Sequence, residues 1–278
     1  MLNYEEELKK FKPCLDVDEV EDAIYSRDLT DVIDILKEMM KNDKPEQENE
    51  TEAEKEAGMN CMNCKSVVDV GMEICPNCGF NLRVQRKCFS LSNMYYNLGL
   101  DKAEIRDLSG AIDMLRRSLK FNKYNIHARN LLGLVYFETG EAVAALSEWI
   151  ISKNIMPENN VATEYIATLQ AEQAKLDMIN QTIKKYNSAL KCCRENNEDV
   201  AAIQLRKILN QNPKLIKGYH LLALIYIHKG EYEKARKILK KAAKIDKTNS
   251  TTLRFLKEVD FQTGTQTSLE PRRFGRRG

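Results

Sequence analysis

Residues 126–160 read IHARNLLGLVYFETGEAVAALSEWIISKNIMPENN, and this stretch decides the fold. Gly140 ends a first helix, Pro157 stops a second, and Gly133 and Ala145 are small enough to let the two run antiparallel in close contact. The pattern returns from Ile216: Leu132, Gly133, Tyr136, Gly140, Ala145 and Trp149 have counterparts in Leu222, Ala223, Tyr226, Gly230, Ala235 and Leu239. Lys247 takes the place of Pro157. Self-similarity at a fixed period marks an array whose units bury one another's faces.

These residues resemble the tetratricopeptide repeat, a helix–turn–helix unit of about 34 residues. Stepping back one period from Ile216 gives a unit from Thr182 with Ala189, Ala201, Leu205, Ile208 and Pro213, and stepping back from Ile126 gives Tyr95, Leu98, Gly99, Ala111, Leu115 and Ser118. That first unit has Lys102 for the family's tyrosine and Arg106 for its turn glycine, so its first helix is expected to run long. Units 1 and 2 span residues 88–160, a connecting helix spans 161–181, and units 3 and 4 with a capping helix span 182–262. Leu176, Ile179, Ile183, Tyr186, Leu190 and Cys193 alternate three and four apart, which suits an extended solenoid helix better than a short coiled coil. A monomer is the expected state.

The resemblance implies a groove, lined by the first helix of each unit, that takes a peptide or helix of a protein partner. The lining positions carry over to Asn93, Tyr96, His127, Asn130, Phe137, Tyr186, Lys217, His220 and His228. His220 and His228 are eight residues apart on one helix, about 12 Å, too far to share an ion. Trp149 belongs to the core of its own unit. Leu100 stands where the chaperone-binding members of the family have an asparagine, so a carboxylate clamp is not expected.

Before the repeats, residues 61–79 read CMNCKSVVDVGMEICPNCG. Two Cys-x-x-Cys pairs supply four thiolates for one tetrahedral ion, with Cys61, Cys64, Cys75 and Cys78 as ligands and zinc as the metal such a set selects. The ten intervening residues suit a hairpin of Val67, Val68 and Val70 turning at Gly71. The stretch, within residues 59–84, resembles the zinc ribbons of bacterial proteins, in which CPxCG knuckles face each other. CPNCG fits; CMNCK lacks the proline and the glycine, a departure expected to weaken the first knuckle's geometry while keeping its ligands. Four ligands close the coordination sphere, which implies a structural ion.

Charge divides the chain. Residues 1–58 carry 8 basic and 19 acidic side chains, and the remainder carries 35 basic and 22 acidic. Residues 1–41 read as an acidic helical segment in which Leu29, Ile33, Leu36 and Met40 form one apolar stripe. Residues 42–58 read as a disordered acidic linker, and residues 263–278, with four arginines, as a disordered basic tail.

The fold class expected is therefore mainly α: an α-α superhelical solenoid behind a small four-cysteine ribbon and an acidic helical segment. No run approaches the roughly 18 apolar residues of a membrane span, and the start, MLNYEEELKK, is acidic, so a cytoplasmic location is expected. Nucleotide-binding and zinc-protease motifs are absent, which argues against an enzyme. The function expected is a protein-binding scaffold. The competing readings are a nucleic-acid-associated protein using ribbon and basic tail, and an adaptor attached peripherally to a membrane through that tail.

Overall fold

The computed structural model describes residue 6 and residues 9–11, 59–69 and 71–264. Most of the acidic segment 1–41, the linker 42–58, Val70 and the tail from residue 265 lie outside the described residues.

Two short strands, β1 (Met59–Asn60) and β2 (Val67–Val68), pair antiparallel with Met59 opposite Val68. Ten helices follow among the described residues: α1 (Leu82–Glu104), α2 (Leu108–Phe121), α3 (Ile126–Glu138), α4 (Ala142–Ile155), α5 (Val161–Ala171), α6 (Gln173–Arg194), α7 (Glu198–Gln211), α8 (Ile216–His228), α9 (Tyr232–Ile245) and α10 (Ser250–Gln262). Asn81, Asp107, Asn125, Asn160 and Asn249 cap α1, α2, α3, α5 and α10 by accepting a backbone N–H of the first turn.

Four hairpins, α1/α2, α3/α4, α6/α7 and α8/α9, form the repeat units, and α10 packs over the last. The turns are equivalent: the backbone is left-handed at Arg106, Gly140, Asn196 and Gly230. In each, the next amide donates to the carbonyl five residues back, Asp107 to Lys102, Glu141 to Tyr136, Asn197 to Cys192 and Glu231 to Tyr226, at 2.8–2.9 Å. The expectation that α1 overruns its turn is corrected here, because Arg106 adopts the conformation a glycine would supply. Helix α1 is long at its other end, where it starts inside the ribbon segment.

The core repeats with the same register. Ala111, Ala145, Ala201 and Ala235 are all fully buried, as are Leu115, Trp149, Leu205 and Leu239. At Gly133 a Cβ would fall 2.3 Å from Trp149 Nε1, and at Gly99 2.7 Å from Leu115 Cγ, so glycine makes room for the larger residue facing it. Residues 161–181 form not one helix but α5 and the start of α6. Helix α5 caps unit 2: its Tyr165 ring lies 5.0 Å from that of Trp149, and Ala162, Ile166 and Leu169 join the same core.

Units 1 and 4, distant in sequence, touch. The buried carboxylate of Asp246, just after α9, accepts the Leu108 and Ser109 N–H groups at 3.1 and 3.2 Å and so satisfies the first turn of α2. Thr248 donates to Asp107, and Lys247 N–H donates to Arg106 O at 3.4 Å. Between units 2 and 3, buried Glu138 accepts from Arg106 at 2.7 Å and from Lys214 at 2.5 Å. Gly140 is so close to Leu215 that a Cβ would stand 2.7 Å from its Cα. The array closes on itself through these contacts.

Candidate metal centre and inner groove

The ribbon brings its four cysteines together by building the same loop twice. In the first, Lys65 N–H donates to Cys61 O and Cys61 N–H to Ser66 O, both at 2.9 Å; in the second, Gly79 N–H donates to Cys75 O at 2.9 Å and Cys75 N–H to Phe80 O at 2.8 Å. Lys65 and Gly79 are both left-handed, with φ of 65° and 71°. The lysine of CMNCK therefore does what the glycine of CPNCG does, and the first knuckle keeps the geometry its sequence put in doubt.

The four Sγ atoms all lie within 4.8 Å of one another, with Cys61–Cys78 and Cys64–Cys75 each at 3.6 Å. Four sulfurs at about 2.3 Å from one central ion would stand about 3.8 Å apart, so the cluster fits a tetrahedral ion. Ser66, 2.9 Å from Cys64 Sγ, draws that thiol down to about 5, and it also lowers Cys75. At Cys78 the Asn63 amide pulls downward, but desolvation and the Cys64 and Cys61 sulfurs outweigh it and push the thiol up to about 11. Four thiolates this close repel one another, and a divalent cation at their centre is the charge that would let all four ionise.

The ribbon is fixed directly to α1. Gln85, almost fully buried, accepts Met62 N–H at 2.9 Å and donates to Asn60 O at 2.8 Å, and Leu82 joins Cys61, Val68 and Cys75 in the small ribbon core. Arg86 donates to Met72 O at 2.8 Å. On the far side Lys65 Nζ stands 4.8 Å over the Tyr124 ring, in the loop between α2 and α3. Sequence reading singles out the cysteines but not Gln85, because within Arg83-Val84-Gln85-Arg86-Lys87 nothing distinguishes a buried polar side chain from its more exposed neighbours.

The residues expected along the groove fall into separate places. Asn93 is half-buried with its Oδ1 3.5 Å from Asn125 Nδ2, and beside it Tyr96, fully buried, faces His127 at 6.1 Å. Asn130 is interior: it donates to Asn160 at 2.9 Å, accepts from Ser152 at 2.6 Å, and its carbonyl accepts Trp149 Nε1–H at 3.2 Å. Phe137 is half-buried, its ring 5.9 Å from that of Trp149. Tyr186 is half-buried too; burial pushes its phenol up and Glu141 adds to the shift.

Lys217 and His220 share a cleft of about 200 Å³ where the two halves of the array meet, with Ser109, Glu141, Asp246 and Asn249 among its other walls. Lys217 donates to Glu141 at 2.7 Å. His220 Nε2 is 2.7 Å from Thr252 Oγ1, and burial holds its imidazole below the usual value while Asp246 opposes the shift. His228 is exposed at the other end of α8, paired with Glu198 at 2.7 Å. Asp246 and Glu141 escaped sequence reading because their partners lie on other units.

Residues 216–249, the α8/α9 unit, match the tetratricopeptide repeat family. Among solved structures, the crystal structure of MamA aligns at 17% identity over 63% of this chain and 84% of that one, with a TM-score of 0.29. YrrB, described as a tetratricopeptide repeat protein with an unusual peptide-binding site, aligns at 17% identity over 63% of this chain and 96% of that one, also at 0.29. No curated protein matches the sequence. Among the described residues no helix is long and apolar enough to cross a membrane.

Proposed function

We propose that the chain is a non-enzymatic scaffold whose repeats hold a peptide or helix of a protein partner, with one structural zinc ion in the ribbon. The observation that supports this most is how the polar side chains of the units are used. Asn130, Ser152 and Asn160 are buried and satisfied by one another, Asp246 is held by backbone N–H groups and Glu138 by Arg106 and Lys214, so these polar groups are used to build shape. What the units would offer a partner is recognition chemistry: half-buried aromatic rings at Phe137 and Tyr186, and exposed polar side chains at His127 and Lys217. Zinc suits the closed set Cys61, Cys64, Cys75 and Cys78 because four thiolates leave no open position for a substrate. The ribbon then acts as a rigid extension of α1.

Affinity capture from the native cell tests the partner reading, comparing the intact chain with His127→Ala/Lys217→Ala. Both side chains are exposed and neither change introduces a like-charge pair, so the helix signal of the variant should match the native one, and a partner held by these positions is lost from it. Recovery of the same proteins by both chains would remove the groove from the account. Elemental analysis tests the metal: about one zinc per chain is expected, falling to none in Cys61→Ala/Cys64→Ala.

A further inference from the structure

Along α2 and the turn after it, residues 109–124 carry four cations, Arg116, Arg117, Lys120 and Lys123, against one acid, Asp113. All five side chains are exposed. Residues 113, 116, 117 and 120 share one helix face, and they line an open depression of about 370 Å³. Elsewhere among the described residues, cations that join helices are bound to carboxylates, as Arg106 and Lys214 are to Glu138 and Arg236 is to Asp260. Here they lie over tyrosines instead. Arg116 donates from Nε to the Tyr136 hydroxyl at 2.8 Å with its guanidinium 5.7 Å from that ring, and the Arg117 guanidinium is 5.9 Å from the Tyr95 ring. A ring fixes where a guanidinium stands without cancelling its charge. Glu148, whose charge reaches Tyr136, is itself engaged by Arg129 at 2.6 Å.

The ribbon completes the band. Lys65 Nζ and Lys123 Nζ stand 4.8 and 5.0 Å from the centre of the Tyr124 ring, so a cation from the first knuckle joins those at the end of α2. Lys65 also holds the left-handed backbone for which the second knuckle uses Gly79. Strain kept where a glycine would relieve it points to a use for the side chain, and placing this ammonium group is that use. A band of one sign attracts a partner of the other. Nucleic acid and acidic polypeptide both qualify by charge, and the rings decide between them. Single-stranded bases are held by stacking on open aromatic faces, but Tyr95 and Tyr136 are only 4% and 5% exposed and cations stand over Tyr124. What the surface offers is guanidinium and ammonium donors alone, which side-chain carboxylates use in full.

We propose that Lys65, Arg116, Arg117, Lys120 and Lys123 form a second docking surface, across unit 1 and the ribbon, for an acidic segment of a protein partner. It goes beyond the inner-surface reading and shares no residue with it, so either can fail alone. The probe is a fluorescent glutamate oligomer of about twelve residues, up to about 40 Å long when extended, titrated with the full zinc-loaded chain at low salt and followed by anisotropy. Binding is expected, weakened about five- to thirtyfold in Arg117→Gln/Lys120→Gln and about two- to fivefold in Lys65→Gly, which keeps the knuckle and its four cysteines. Lys237→Gln/Lys241→Gln removes the same two charges from the exposed face of α9 and should leave binding within about twofold. The helix signal of all three variants should match the native one. No binding to the native chain would overturn the proposal, as would an equal response of the α2 and α9 variants, whether both lose the probe or neither does. Tighter binding of an oligothymidylate of equal charge would assign the surface to nucleic acid and overturn it too.

Discussion

Lys65 holds a left-handed backbone that an L-residue enters at a cost of about 1 kcal/mol and glycine enters freely. The second knuckle has the glycine, so Lys65→Gly should raise the stability of the zinc-loaded ribbon by about 0.5–1 kcal/mol, less the loss of the Lys65–Tyr124 contact. Chelator competition against the native chain measures it, and weaker zinc retention in the variant would contradict the reading of the loop. The opposite sign applies at Gly133, where a methyl group meets the Trp149 ring in a closed core. Gly133→Ala should cost about 1–3 kcal/mol in urea unfolding, and a neutral result would mean the α3/α4 approach is looser than described. Gly133 was legible in sequence because a small residue opposite a large one recurs one period away. The turn residues Arg106 and Asn196 were not, since nothing local announces a left-handed arginine.

The ribbon and the helices differ in what holds them. Strands of two residues and a core of a few side chains are too little to stabilise residues 59–80 alone, so on the proposed zinc reading the ion would supply most of that element's folding energy. The hairpins have their own apolar core. Strong chelation should therefore abolish amide protection across 59–80 and fray the first turn of α1, where Gln85 loses both backbone partners, while the helix signal of the rest persists. Collapse of the whole array on chelation would show that the two elements are not separable in this way. The element boundaries were mostly legible, because Gly140, Pro157, Gly230 and the paired cysteines mark them. The division of residues 161–181 into α5 and the start of α6 was not: the sequence there suits one connecting helix, and the cap that α5 makes on Trp149 depends on packing that periodicity does not encode.

At the scale of the molecule, the array is joined end to end by contacts between residues more than one hundred positions apart. Asp246 satisfies the α2 terminus and Asp107 is bound by Lys102, Thr248 and Gly110. Burial raises the Asp107 carboxyl, but those three partners outweigh it and leave it below the ordinary value. A carboxyl depressed on folding contributes above its unfolded value and loses that contribution as pH falls through the folded one, so the Asp107 contribution to the joint should fade as pH falls below about 4. Asp246→Ala strips the buried Leu108 N–H and the half-buried Ser109 N–H of their acceptor and should cost about 1–3 kcal/mol, with a larger radius of gyration by small-angle scattering. An unchanged radius would mean the halves are held by other contacts. None of this joint was legible, because sequence periodicity reports neighbours along the array and is silent on which distant turns meet.

The central claim is one of register: four helical hairpins, spaced 34 residues apart and interrupted once by an insertion of about 22, behind a four-cysteine ribbon. Peptide-resolved amide hydrogen exchange on the zinc-loaded chain at neutral pH tests it most directly. The account predicts slow exchange in the helices flanking each turn, fast exchange at Arg106, Gly140, Asn196 and Gly230, and a repeat of that profile from unit 1 to unit 2 and from unit 3 to unit 4. A protection profile with no such repeat, or fast exchange throughout residues 182–262, would contradict it.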